Sequence, residues 1–166
     1  MEILTTKRLR LRNFRMEESE ELYRLYKDAD FQRYMHMDSF RKEDIDYLIS
    51  SSLERTPLDS GSYHYAISHL KSDTLVGEVS LEKKENAFLL GYFVRKEKQG
   101  RGYAFEILTA LLSKLVFDFP GTDIEAIVDR DNQKSRRLLT KLGFHNDLYQ
   151  LPDSPYVLYS LYGLIR

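Results

Sequence analysis

The spacing of apolar positions changes several times along the chain, and each change marks an element. Leu9, Leu11 and Asn13 alternate with Arg8, Arg10 and Arg12, which predicts a strand over Arg8–Phe14 with a basic face. From Met16 the period lengthens. Leu22, Leu25, Tyr26 and Ala29 share one helical face, and Glu17, Glu18, Glu20 and Glu21 weight the N-terminal end, where the helix dipole favours acids. A second helix is predicted from Lys42 to about Leu53, with Ile45, Leu48 and Ile49 inward and Ser39 or Arg41 at its start. Three strands follow, Tyr63–Leu70, Thr74–Lys83 and Ala87–Arg95, joined by the short polar links 71–73 and 84–86 that favour antiparallel neighbours.

A long helix is predicted from Gly102 to about Asp118, with Ala104, Leu108, Leu111 and Leu115 on one stripe and Pro120-Gly121 ending it. Ile124, Ala126 and Val128 alternate as a strand. Asp131 or Asn132 caps a short helix carrying Ser135, Leu138, Leu139 and Leu142, and Gly143 closes it. Phe144–Tyr149 and Tyr156–Tyr162 read as closing strands. The order β-αα-βββ-α-β-α-ββ places one parallel crossover inside an otherwise antiparallel sheet of about seven strands. That is an α+β (mixed α/β) architecture with helices on both sheet faces.

Composition narrows the function classes. The 166 residues carry no repeat and no Gly/Ser linker, which fits one domain spanning 1–166. A formal net charge of −1 argues against general nucleic-acid binding. The absence of cysteine excludes disulfides, thiolate metal sites and a cysteine nucleophile, and suits the cytoplasm. The longest apolar run, Ala87–Val94, is far short of the ~20 residues of a membrane span, and the N-terminus has no apolar signal region. His36, His64, His69 and His145 show no metal-ligand spacing and read as structural or solvated residues, so no metal is expected.

The most informative stretch runs from Gly91 to Ala104. A buried strand ends near Arg95, a charged loop holding Gly100 and Gly102 follows, and a long helix begins at once. Glycines allow close approach of backbone to ligand, and the unpaired amides at a helix start attract anions, here a diphosphate. Phe105 breaks the GxGxxG pattern, and no GxxxxGK[ST] is present, which disfavours an ATP- or NAD-dependent enzyme. A plain tight turn at the two glycines is the simpler alternative.

Gln99-Gly100-Arg101-Gly102-Tyr103-Ala104 resembles motif A (Q/R-x-x-G-x-G/A) of the GNAT N-acetyltransferases. Glu106 and the opening Thr6–Arg12 resemble the ribosomal-protein (Rim-type) branch, as does Asn132-x-x-Ser135 followed by Leu142-Gly143-Phe144. The resemblance covers the whole chain and implies a GNAT acyl-CoA N-acyltransferase fold with acetyl-CoA as co-substrate. It implies that pantetheine lies against Phe93, Val94 and Arg95, that the pyrophosphate sits on the amides of Gln99, Gly100, Arg101, Gly102, Tyr103 and Ala104, and that Asn132 and Ser135 face the thioester. The acceptor is expected to be a primary amine, either a protein N-terminus or a small molecule, bound by residues 17–56 and the loop Arg55–Ser62. Neither nucleic acid nor a membrane is an expected partner, and self-association into a homodimer is left open.

Amine acetylation needs a neutral nitrogen, a polarised carbonyl and a partner for the departing thiolate. The Val94 amide is the expected carbonyl contact. Many family members place a tyrosine where this chain has Leu139, and a glutamate where it has Leu89. Ser135 is therefore the candidate thiolate partner, with packing of a small helix residue as its plainer role. Glu78 and Glu106 are the candidate bases, against a solvated strand acid and a dipole-stabilising first-turn acid respectively. The absent tyrosine and glutamate leave a non-catalytic acyl-CoA-binding or regulatory module as the alternative.

Overall fold

The computed structural model describes residues 1–35, 40–53, 61–146 and 154–163. Its strands are β1 (Glu2–Thr5), β2 (Leu9–Asn13), β3 (Gly61–His69), β4 (Leu75–Lys83), β5 (Ala87–Val94), β6 (Asp123–Asp129), β7 (His145–Asn146) and β8 (Tyr156–Leu161). Its helices are α1 (Ser19–Tyr26), α2 (Ala29–Met35), α3 (Lys42–Leu53), α4 (Tyr103–Asp118) and α5 (Gln133–Lys141). The strands form one 8-stranded sheet in the order β1-β2-β3-β4-β5-β6-β8-β7.

Alternation along the strands separates two apolar cores. Tyr63, Tyr65, Ile67, Val79, Leu81, Phe88, Leu90 and Val94 face α4 and α5, where Ile107, Leu108, Leu111, Leu115 and Leu139 meet them. Phe14, Ala66 and Leu75 face α1–α3, where Leu22, Leu25, Ile45 and Ile49 close the second core. Each fully buried leucine or isoleucine contributes ~1.5–3 kcal/mol, so the α4 stripe anchors the helix that follows the glycine loop.

Two expectations change. The sheet has eight strands because Glu2–Thr5, a short and half-exposed edge strand, pairs antiparallel with β2. The expected helix from Met16 through Ala29 is a 3₁₀ turn (Met16–Glu18) and α1, and Ala29 opens α2 instead. The break falls at Asp28, whose Oδ1 accepts the Phe31 N–H at 3.3 Å and so competes with continued helix. Asn132, rather than Asp131, caps α5, its Oδ1 accepting the Ser135 N–H at 3.1 Å. His36, Ser39, residues 55–60 of the expected acceptor loop and residues 147–149 of an expected strand lie outside the described residues.

The feature that positions the site is the β5–β6 pair. It is parallel, as the crossover through α4 requires, and it is short: Ala87, Phe88 and Leu89 pair with Asp123, Ile124 and Glu125, and no further pairing is made. Beyond Leu89 the two strands part. β5 stays bound to β4 as far as Val94, and Gly77 permits that approach, since a Cβ there would lie 2.1 Å from the Phe93 carbonyl oxygen. The opening between β5 and β6 is thus built into the sheet.

Candidate active site

The alternating ladder of β5 on β4 is anchored by the Lys84 N–H to Ala87 oxygen bond (2.8 Å) and the Arg95 N–H to Val76 oxygen bond (3.0 Å). With Ala87 and Arg95 turned toward β4, the N–H groups of Tyr92 and Val94, beyond the last β5–β6 pair, point the other way, into the opening. Gln99 closes its far end by donating Nε2–H to the Val94 oxygen at 2.9 Å. Gly100 and Gly102 then take left-handed conformations, φ +73° and +76°, which turn the chain directly into α4. The amides at that helix start face a cavity of about 580 Å³.

This cavity is lined by Phe93, Val94, Gln99, Gly100, Gly102, Tyr103 and Ala104 from one wall and by Asn132 and Ser135 from the other. Two of the expected binding residues do not join them. Arg95 pairs with Glu21 and with Glu97 (2.8 Å), and the Arg101 carbonyl accepts a hydrogen bond from Arg8 Nη1 at 3.0 Å. Neither lines the cavity.

A second cavity, of about 460 Å³, adjoins the first. Its floor follows from strand register. Ser62 and His64 on β3, Glu78, Ser80 and Glu82 on β4, and Leu89, Gly91 and Phe93 on β5 all fall on the face turned to α1–α3. Glu78 is 4% exposed. Its Oε1 accepts the Tyr26 hydroxyl at 2.9 Å and is hydrogen-bonded to His64 Nδ1. A carboxylate only accepts, so the neutral His64 tautomer that fits this pair carries its proton on Nδ1 and leaves the lone pair on Nε2. The imidazole is 20% exposed, and Nε2 has a 3.5 Å contact with the Ser62 hydroxyl. Burial and then the charge of Glu78 push the Tyr26 phenol well above its ordinary range, which keeps it a donor to that carboxylate.

The two cavities share Phe31, Tyr34, Tyr92, Phe93, Asn132 and Ser135. At this waist the Tyr92 hydroxyl lies 2.6 Å from Ser135 Oγ. Burial pushes the Tyr92 phenol up to about 12, against the opposing hydrogen bond from Ser135. Leu139 is fully buried in the core.

The structure brings Ser135 and Glu78 to the waist and the floor, and it does not bring Glu106 there. Glu106 accepts Thr6 Oγ1–H (2.6 Å), the Arg8 N–H (2.9 Å) and Arg8 Nε–H (2.6 Å), and it lines neither cavity. Partial burial raises its carboxyl, but the bonds from Thr6 and Arg8 outweigh that and hold it below its usual range. Arg8 also covers the Tyr103 ring at 4.7 Å. Glu106 therefore fastens the β1–β2 connection to the start of α4. Two residues escaped the sequence reading. His64 showed no ligand spacing, and only the β3–β4 register, with His64 opposite Ser80 and diagonal to Glu78, brings the pair together. Tyr92 carries no signal in the sequence that sets it apart from the other eleven tyrosines. Among the described residues no group of three or more His, Asp or Glu is placed to hold a metal, and no helix is long and apolar enough to cross a membrane.

Residues 8–145 match the family model described as an acetyltransferase (GNAT) domain. The chain is 23% identical over 150 residues to the "Uncharacterized N-acetyltransferase p20" of Bacillus licheniformis, covering 89% of this chain and 84% of that protein. The crystal structure of a GNAT-family acetyltransferase from Bacillus anthracis superposes with a TM-score of 0.80 at 20% identity, covering 98% of both chains. A RimL ribosomal L7/L12 alpha-N-protein acetyltransferase in complex with coenzyme A superposes with a TM-score of 0.79 at 18% identity, again over 98% of both.

Proposed function

The chain belongs to the GNAT acetyltransferase family, and on that premise we propose that it is a cytoplasmic single-domain enzyme moving an acetyl group from acetyl-CoA to a primary amine by direct attack in a ternary complex. The observation that carries this reading is the pair of cavities meeting at Tyr92 and Ser135, one floored by a buried carboxylate–histidine pair and the other walled by the glycine loop. The RimL neighbour holds coenzyme A in the same fold, which supports acetyl-CoA as the donor.

The donor residues fit a diphosphate linked to an extended arm. Gly100 and Gly102 leave no side chain between the loop backbone and a bound anion, and charge-assisted bonds of that kind contribute ~1.5–3 kcal/mol each. Acetyl-CoA bound there supplies an electrophilic thioester carbon and a thiolate leaving group. The Val94 N–H, pointing into the opening, is placed to hold the carbonyl oxygen as charge develops on it. His64 Nε2 takes the proton the attacking amine loses, directly or through water, while Glu78 holds the Nδ1 proton and stabilises the imidazolium.

The hydroxyl pair meets the leaving group. A thiol titrates near ~8.5, so outright proton transfer from a phenol at about 12 is uphill by about 5 kcal/mol. Ser135 and Tyr92 therefore act as linked hydrogen-bond donors to the developing thiolate, and solvent completes its protonation. Ser135→Ala and Tyr92→Phe are each expected to lower kcat about ten- to a hundredfold with little change in acetyl-CoA affinity, and the double variant to be little worse than the poorer single, since the pair acts as a unit. Steady-state kinetics with calorimetric binding checks this, and an unchanged kcat in both single variants removes the pair from the mechanism.

A further inference from the structure

The two cavities have opposite charge. The donor cavity carries Arg33, Lys98 and Lys134 against one carboxylate, Asp131, an excess of positive charge that suits a phosphate-rich ligand. The acceptor cavity carries no lysine or arginine among its described lining residues, and it holds three carboxylates, Glu78, Glu82 and Asp129. Glu82 is ion-paired with Lys84 at 2.5 Å, and Asp129 Oδ1 accepts the Asp131 N–H at 2.7 Å. The buried carboxylate of Glu78 therefore sets the field at the floor, where an amine would approach.

Aromatic rings line the cavity around that floor. Tyr26 contacts Phe31 with ring centroids 4.5 Å apart and Phe40 edge-on at 4.7 Å, and Phe31 meets Phe93 edge-on at 4.9 Å. All four rings line the cavity, which at about 460 Å³ lies within the ~300–1,000 Å³ usual for small-molecule sites. Such a lining rewards an apolar body and tolerates an ammonium against ring faces. A carboxylate beside the amine would be buried against rings and Glu78 with no cation of the described lining to meet it, a juxtaposition that strongly disfavours binding.

We propose that the acceptor is a carboxylate-free primary amine with an aromatic or comparably apolar body, of the arylalkylamine class. This rests on the acetyl-transfer reading above. It deepens that reading by assigning the acceptor's charge and body to this cavity.

The test compares phenylethylamine with phenylalanine, which has the same ring and spacing plus a carboxylate, and with spermidine and a tetrapeptide beginning with serine. Because the chain has no cysteine, released CoA thiol can be read directly in the reaction. The expected kcat/KM for phenylethylamine exceeds that for phenylalanine by about a hundredfold or more, and Phe40→Ala raises the KM for phenylethylamine about tenfold. Equal or better turnover of phenylalanine, spermidine or the peptide overturns the proposal and leaves acetyl transfer standing. If no amine is turned over, calorimetry on the CoA-loaded protein decides: preference for phenylethylamine over phenylalanine supports the proposal, and no preference overturns it. Failure to bind acetyl-CoA at all is a separate result, which defeats the acetyl-transfer reading and takes this proposal with it.

Discussion

Glu78→Gln is expected to lower kcat by roughly 10²–10⁴-fold at pH 7 while leaving acetyl-CoA affinity within about threefold. The carboxylate lies on the acceptor side, away from the glycine loop, so donor binding does not depend on it. Glutamine keeps the shape, but it presents an amide where a carboxylate fixed the Nδ1–H tautomer of His64 and balanced its positive charge. The defect has a signature that structural damage lacks. An alkylamine titrates near ~10, so almost all of it is protonated at pH 7 and needs a base; as the pH rises toward that value the amine deprotonates unaided. The ratio of wild-type to variant kcat/KM therefore narrows at high pH. If the lost charge partner of buried Tyr26 prevents folding, the partly exposed His64→Ala variant makes the same test. An undiminished rate in a folded variant removes the Glu78–His64 pair from the mechanism.

Gly100→Glu carries the second large effect, on the donor side. A Cβ at Gly100 meets nothing within 4 Å, so the loop accepts the added atoms sterically, but φ is +73° and the site faces the donor cavity. A carboxylate there opposes a diphosphate and displaces its backbone contacts. Losing one or two charge-assisted bonds weakens acetyl-CoA binding by about ten- to more than a hundredfold. Gly100→Asn separates charge from strain, because asparagine enters the left-handed region readily, and it is expected to keep most of the affinity. Gly102 is a poorer probe, since a Cβ there points at Arg8 Nη2, 3.5 Å away, and an introduced acid would pair with that guanidinium. Calorimetry on both variants, with circular dichroism for folding, reads the outcome. Unchanged affinity in Gly100→Glu would place the diphosphate elsewhere.

Elements whose own residues specify them were legible in the sequence. Helix α3 runs from Lys42 to Leu53 as its apolar spacing implies, and α4 begins where the glycine loop ends. The turn between β5 and α4 was readable because glycines, a charged loop and a long apolar stripe follow one another directly. Strand β1 was not, because its half-exposed residues Glu2–Thr5 carry little apolar alternation and owe their pairing to β2. The break between α1 and α2 turned on one side chain, Asp28, within a stretch whose acids and apolar positions suit continuous helix.

The site divided in the same way. Its donor half lies in one contiguous segment, with Asn132 and Ser135 at helical spacing beyond it. Its acceptor half is assembled across the sheet: His64 and Glu78 are fourteen residues apart and meet diagonally on one face, while Tyr92 and Ser135 are forty-three apart and meet across the opening. Glu106 illustrates the converse. It stood as a candidate base because it is a carboxylate close to the glycine loop, yet distant residues Thr6 and Arg8 engage both of its oxygens.

The measurement that bears most directly on acetyl transfer at the β5–β6 opening is a calorimetric titration of acetyl-CoA into the purified protein, with ATP as the comparison. The expected result is saturable one-to-one binding in the micromolar range, tighter than ATP. No binding up to millimolar acetyl-CoA in a folded sample would contradict it, and would leave Gly100 and Gly102 as an ordinary turn.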